Sequence, residues 1–245
     1  MRQWSPDKEF NQETVGIDTW DEEKIGKYRI KESQQIHKAL VQATEQLITA
    51  ARVIIDKVRQ GGRVITIGAG GSGVAGMSVM RELPQNHQDA KVEQFFYCVA
   101  GGSAIFEKFG REELEDSPEE GRKDVEAMHL SKNDVLICIS ATGRTPYTRT
   151  AAAVARQRGA FTIAMVCQKN VELGGEVDHE IVLDIGPETL VGATCGKAAS
   201  VQKEALDVIF DIVMVKLGYT NGNVTRPRLV HDKARIREAY FRQKG

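Results

Sequence analysis

The chain has 245 residues, 41% of them hydrophobic and 27% charged, with a formal net charge of −1. That balance describes an ordinary folded globule and excludes a global field drawing it to nucleic acid or an anionic membrane. No apolar run reaches the ~20 residues of a membrane span, and the opening MRQWSPDKEF is too polar for a signal peptide, so a cytoplasmic protein is expected.

Residues 1–30 carry no sustained periodicity and are expected as an extended arm. From Ser33 to Arg59 apolar residues recur at Ile36, Leu40, Ala43, Leu47, Ala50 and Ile54, which predicts one long amphipathic helix ended by Gly61-Gly62. Five short apolar runs follow: Arg63–Ile67, Gln94–Ala100, Asp134–Ile139, Phe161–Val166 and Glu180–Asp184. They are nearly continuous in β-branched and apolar residues rather than alternating, as strands covered by helices on both faces are. Helical stretches such as Val74–Arg81 and Thr148–Arg158 separate them. Alternation of this kind predicts an α/β fold, a doubly wound five-stranded parallel sheet, in one domain over residues 31–220.

A last helix is expected over Gly196–Lys216, with Ala199, Ala205, Val208, Ile209, Ile212 and Val213 as its apolar face and Gly218 as its stop. Residues 221–245 form a short basic tail with Arg226, Arg228, Lys233, Arg235, Arg237, Arg242 and Lys244. Without a basic fold motif or interleaved aromatics, the tail reads as a solvated helix packed on its own or a second subunit, not as a nucleic-acid contact. Cys98, Cys138 and Cys167 sit in apolar runs, and with Cys195 they make no CxxC pair and no ligand set with histidine. Neither a disulfide framework nor a metal site is expected. Cys195, at a helix start, reads as a small filler.

In an open parallel sheet, ligands bind where strand ends turn into helices. The first such turn is Ile-Gly-Ala-Gly-Gly-Ser-Gly, residues 67–73. The amides of Gly70, Gly71, Ser72 and Gly73 can point at an anion there, with the helix dipole and the Ser72 hydroxyl in support. A dinucleotide site would need an acidic residue closing the second strand, but that strand ends in Cys98-Val99-Ala100-Gly101-Gly102, so no NAD is expected. The turn after the third strand, Ser140-Ala141-Thr142-Gly143-Arg144-Thr145-Pro146, brings three hydroxyls and a cation. Capping a helix needs only one hydroxyl, so the two turns together describe a phosphate site built from neutral donors. A third turn, 186–197, ends in Lys197 at the first turn of a helix, where the dipole disfavours a cation. A bound anion would relieve that conflict, and so would solvent.

These turns and their flanks resemble the N-acetylmuramic acid 6-phosphate etherases, a branch of the sugar-isomerase (SIS) superfamily that also includes the glucokinase regulatory protein. The resemblance runs from Asn11 to about Lys233. It is carried by Asn11, Thr14, Ile17 and Asp18, by the 67–73 turn and by Glu82–Pro84. It continues through Ala100-Gly101-Gly102, Glu115-Asp116-Ser117, Gly143-Arg144-Thr145-Pro146-Tyr147, Gly186-Pro187-Glu188, Lys197-Ala198 and Gln202-Lys203.

The resemblance implies an SIS fold and a lyase acting on a phosphorylated amino sugar. D-lactate would leave C3 of the ring-opened sugar phosphate and water would add, giving N-acetylglucosamine 6-phosphate. The family's two glutamates fall on Glu82 and Glu115. Glu115 is the implied base at C2, and Glu82 the acid that protonates lactate and later activates water. Gly70, Gly71, Ser72, Ser140, Thr142, Gly143, Thr145 and Lys197 are the candidate substrate-binding residues. No metal or organic cofactor is required, and a homodimer is expected.

The chain departs from the family's pattern in several places. Gly71 stands where a hydroxyl residue is usual, Thr142 where Ser is, and Ala193-Thr194-Cys195-Gly196-Lys197 where Ser-(Ser/Thr)-Arg-Met-Lys is. Leu83-Pro84-Gln85 replaces Cys-Pro-Pro, an Asn–Glu–Asp cluster around residues 30–35 is absent, and a C-terminal helical extension is not present. Loss of an arginine removes a bidentate anion binder, which bears on the exact sugar more than on the fold. Two alternatives follow. One is an aldose–ketose isomerase, although His87, His129 and His179 precede strands rather than follow them. The other is a non-catalytic phosphosugar sensor.

Overall fold

The five apolar runs become five parallel strands: β1 (Val64–Gly68), β2 (Phe95–Val99), β3 (Val135–Ser140), β4 (Phe161–Val166) and β5 (His179–Val182). The computed structural model describes residues 8–106, 112–228, 235, 236 and 240. The strands order as β2-β1-β3-β4-β5, with Val64 opposite both Phe95 and Val135, and Val135 opposite Phe161.

The helices are α1 (Glu22–Glu32), α2 (Gln34–Gln42), α3 (Thr44–Arg59), α4 (Gly70–Asn86), α5 (Pro118–Ala127), α6 (Pro146–Gln157), the single turn α7 (Glu172–Gly175) and α8 (Lys197–Lys216). Because successive strand residues face opposite ways, the sheet feeds two cores. Ile137, Ile139, Ile163 and Met165 pack with Leu47 and Ile54 of α3, Val79 and Met80 of α4, and Leu206, Ile209 and Phe210 of α8. Ile67, Leu136, Cys138 and Val166 pack with Val125 of α5 and Tyr147, Ala151 and Ala155 of α6. The architecture is the expected SIS-type doubly wound sheet.

Two expectations need correcting. The predicted long helix is broken at Ala43, whose ψ of 1° leaves the helical range, so α2 and α3 are separate. The predicted extended arm is instead two short helical turns, at Gln12–Thr14 and Ile17–Thr19, followed by α1. Asp21 starts α1 by accepting the Lys24 amide at 2.7 Å, and Glu22 and Glu23 complement the helix dipole. No α1 residue is fully buried, which is why apolar periodicity did not reveal it. Residues 1–7 of the arm lie outside the described residues.

The tail also differs. Residues Thr220–Asn221 (β6) and Val224–Thr225 (β7) form a small antiparallel hairpin, and Arg226 and Arg228 then run along the end of α4. Lys233, Arg237, Arg242 and Lys244 lie outside the described residues. No helix among the described residues is long and apolar enough to cross a membrane.

The bottom of the sheet is fixed by Asp134. Its carboxylate accepts the Arg63 amide and Nε (2.9 and 3.1 Å), the Arg63 Nη2 (2.8 Å) and the Ser131 amide (2.8 Å). Burial alone would raise this carboxyl, but the hydrogen bonds from Arg63 and Ser131 and the guanidinium charge hold it below its usual 3.8.

Candidate active site at the strand ends

The strand order places a switch point between β1 and β3. There α4 leaves toward one face and α6 toward the other, opening a crevice at the carboxyl ends of the strands. Both helices begin without a side-chain cap: Ala69 precedes α4, and Thr145 precedes α6 with Pro146 in its first turn. Their first amides are orphan donors. Gly70, Gly71 and Ser72 supply those of α4.

The neighbouring α8 is different. The Glu188 carboxylate accepts the amides of Lys197 and Ala198 at 2.9 and 2.8 Å, so this helix start is already closed by an internal anion. Lys197 is also settled internally. Its side chain is fully buried, with Nζ 2.8 Å from Glu32 Oε2 and 3.1 Å from the Ile185 carbonyl. The anion expected to relieve the Lys197 conflict therefore comes from the protein, and the ammonium does not face the crevice.

The β3–α6 turn uses its hydroxyls partly on itself. Ser140, 2% exposed, accepts the Gly143 amide at 3.0 Å and pairs with the Thr145 hydroxyl at 3.0 Å. Thr142 accepts the Arg144 amide at 3.3 Å. Thr142 and Thr145 remain half-buried at the crevice, whereas Ser140 lies beneath them, buried, and organises the turn. Gly143 has φ +66°, and a Cβ there would stand 2.3 Å from Val171 Cγ2, so no other residue fits without strain.

Glu115 lies on the short turn Glu112–Asp116, exposed. Its Oε2 is 4.0 Å from where a Cβ on Gly70 would be. Gly70 itself has φ +49°, which suits a bare backbone approached by a ligand. Beside Leu114 on the same turn, a hollow of about 520 Å³ is lined by Tyr97, Cys98, Gly101, Ser103 and Asp124. Burial pushes the Cys98 thiol up to about 12, so it is no nucleophile. The Tyr147 hydroxyl donates to Asp124 at 2.6 Å and stiffens that wall.

Glu82 is not brought to this crevice within one chain. It is exposed and stands twelve residues beyond Gly70 on α4, roughly 18 Å at 1.5 Å per residue. Its neighbour is Lys203 of α8, whose ammonium is held above its usual value first by a hydrogen bond to Asp207 and also by the charge of Glu82.

A Cβ on Gly71 would meet Cys195 Cβ at 3.2 Å and Ala199 Cβ at 3.5 Å. The missing hydroxyl in the first turn and the missing guanidinium in the third thus fall at one spot. The arm reaches the strand ends as well. Asn11 is 5% exposed and donates to the Glu188 carbonyl at 3.0 Å and to the Tyr28 hydroxyl at 3.2 Å. Lys8 and Glu9 line the cleft beside Thr142, Gln168 and Thr194. Sequence reasoning missed the capping role of Glu188 and the pairing of Glu32. The available signal was Gly196, an N-cap with no side-chain oxygen to accept the first amides, directly before Lys197. No group of metal-ligating side chains occurs among the described residues.

Residues 46–156 match the glucokinase regulatory protein N-terminal SIS domain, and residues 106–210 match the SIS domain. The N-acetylmuramic acid 6-phosphate etherase of Bacillus subtilis (strain 168) is 35% identical over 214 residues, covering 87% of this chain and 70% of that protein. That of Crocosphaera subtropica is 38% identical over 214 residues, covering 84% and 69%. This chain belongs to the N-acetylmuramic acid 6-phosphate etherase family. The etherase of Rubrobacter xylanophilus, another member, is 34% identical over 194 residues, covering 79% of this chain and 64% of its own length. The chain thus spans about two thirds of the length of these etherases.

Among solved structures, a putative sugar-phosphate isomerase of Listeria monocytogenes superposes with a TM-score of 0.59 at 16% identity, over 82% of this chain and 94% of its own. The phosphoheptose isomerase of Neisseria gonorrhoeae does so with 0.56 at 17%, over 79% and 97%. At such identities they bear on the fold, which this etherase-family chain shares with them.

Proposed function

We propose that the chain is a carbon–oxygen lyase that cleaves the D-lactyl ether of N-acetylmuramic acid 6-phosphate, or of a closely related 6-phospho sugar. The observation that carries this reading is the approach of the Glu115 carboxylate to Gly70, at the uncapped start of α4. The phosphoryl group would rest on the first amides of α4 and α6, with Ser72, Thr142 and Thr145 as hydroxyl donors. A sugar held there presents its C2 hydrogen to Glu115. The carboxylate takes that proton, the electron pair moves toward the C1 aldehyde, and the enolate expels lactate from C3 as an acid protonates the departing oxygen. Water then adds at C3 and a proton returns to C2.

The acid is Glu82 of a second copy. Within one chain Glu82 is too far from Gly70, but two α4 helices packed antiparallel and crossing at the level of Gly76, halfway between the two residues, would set each Glu82 beside the other's Gly70. Val74, on the exposed face of α4 and 41% exposed, offers apolar surface for such a pairing. The working unit is therefore a homodimer, located in the cytoplasm.

Incubation with N-acetylmuramic acid 6-phosphate in deuterated water tests the reading, with release of lactate and deuterium at C2 expected. The match of residues 46–156 to the glucokinase regulatory protein domain supports a second reading, a phosphosugar sensor. Thermal stabilisation by phosphosugars without turnover would favour it.

A further inference from the structure

We propose that Arg228 is the positioning residue for Glu82, an inference that rests on the lyase reading above. Pro84 sits inside α4, two residues beyond Glu82. A proline there has no amide to donate to the carbonyl four residues back and crowds it, so the turn bearing Glu82 is the weak point of the helix.

The chain beyond the β6–β7 hairpin does not replace that bond but ties down the carbonyls at and after the end of α4. Arg228 alone serves four carbonyls: its amide donates to Gln85 at 2.8 Å, its Nε to Pro84 at 3.2 Å, and its Nη2 to Gln88 and Ala90 at 3.3 and 2.8 Å. The charge also sits at the negative end of the α4 dipole. Arg226 adds a carbonyl that accepts the Gln88 amide at 2.7 Å and a salt bridge to Asp89, while His87 Nδ1 meets the Tyr219 carbonyl at 3.1 Å. A segment read as a solvated tail is thus a clamp on residues 84–90, and a planar fork is what binding several carbonyls at once requires. Within its own chain the hydrogen bonds of Arg228 go to residues 84–90 and not to the crevice around Gly70, so the effect ascribed to it runs through the placement of Glu82.

The two carboxylates report separately, which makes this testable. Deuterium exchange at C2 reads Glu115, and lactate release reads Glu82. In Arg228→Ala the expected result is retained exchange, within about twofold, and lactate release reduced by about 100-fold, the cost of an ångström-scale misplacement. The affinity for glucose 6-phosphate should not change.

Arg228→Ala combined with Pro84→Ala, which restores the helix amide, should recover part of the release. Exchange and release falling in parallel with thermal stability would assign Arg228 a merely structural role and overturn the proposal. So would unchanged release, or no recovery in the double variant. If the unsubstituted protein neither exchanges nor releases, the lyase reading itself falls and takes this inference with it, a result distinguishable from the others.

Discussion

The Lys197 ammonium lies 2.8 Å from the Glu32 carboxylate, and this contact joins the first helix of the arm to the first turn of α8. A lysine at a helix start is electrostatically misplaced unless an anion answers it. Here two do: Glu32 answers the side chain and Glu188 the helix amides. Lys197 is fully buried and the Glu32 side chain is 13% exposed, so neither charge has water to fall back on.

Removing one partner of such a pair leaves the other buried and uncompensated. Lys197→Met is expected to destabilise the protein by about 3–5 kcal/mol in urea unfolding, and Lys197→Met with Glu32→Leu to recover most of it. Phosphosugar affinity of the folded double variant should remain within a few-fold of the original. A large loss of affinity would return Lys197 to the substrate.

The base assignment gives a sharper test. Glu115→Gln keeps the shape of the side chain and removes its capacity to take a proton. C2 deuterium exchange should drop by at least ~100-fold with glucose 6-phosphate still bound. Exchange at an undiminished rate would move the base elsewhere.

Gly143 tests the turn that shapes the crevice. Its positive φ and the 2.3 Å clash awaiting any Cβ against Val171 make Gly143→Ala costly by roughly 1–3 kcal/mol. Lower thermal stability and weaker phosphosugar binding should appear together, because Ser140 and Thr145 are organised by the same turn.

Asp134 predicts a pH dependence. Its carboxyl titrates lower in the folded protein than its usual 3.8, so its contribution is present above that value and is lost as pH falls through it toward the folded value. Asp134→Asn should lower stability at pH 7 and flatten the decline of stability below about pH 4, followed by chemical unfolding across that range. An unchanged acid limb would show that other carboxylates govern it.

How much of this was legible beforehand depended on whether the signal was local. The strands announced themselves because a strand buried on both faces needs an almost unbroken apolar run, as Val135–Ser140 does. The strand-end turns were legible because uncapped helix starts with glycine and hydroxyl residues leave a chemical trace at fixed spacing. Helix α1 was not, because it presents no buried face and is held by a cap and an ion pair. Nor was Arg228, whose partners lie some 140 positions away in sequence.

The sequence by itself determined the layered α/β architecture, the place of the glycine- and hydroxyl-rich strand-end turns and the family, since each rests on residue types at short, regular spacing. Only the tertiary structure decided which charges are spent inside the protein. It put Lys197 on Glu32, closed α8 with Glu188, brought Glu115 to Gly70 and sent Glu82 far down α4. The reason is physical: a charged group is defined by the partner it meets after burial, and that meeting is fixed by packing between distant segments.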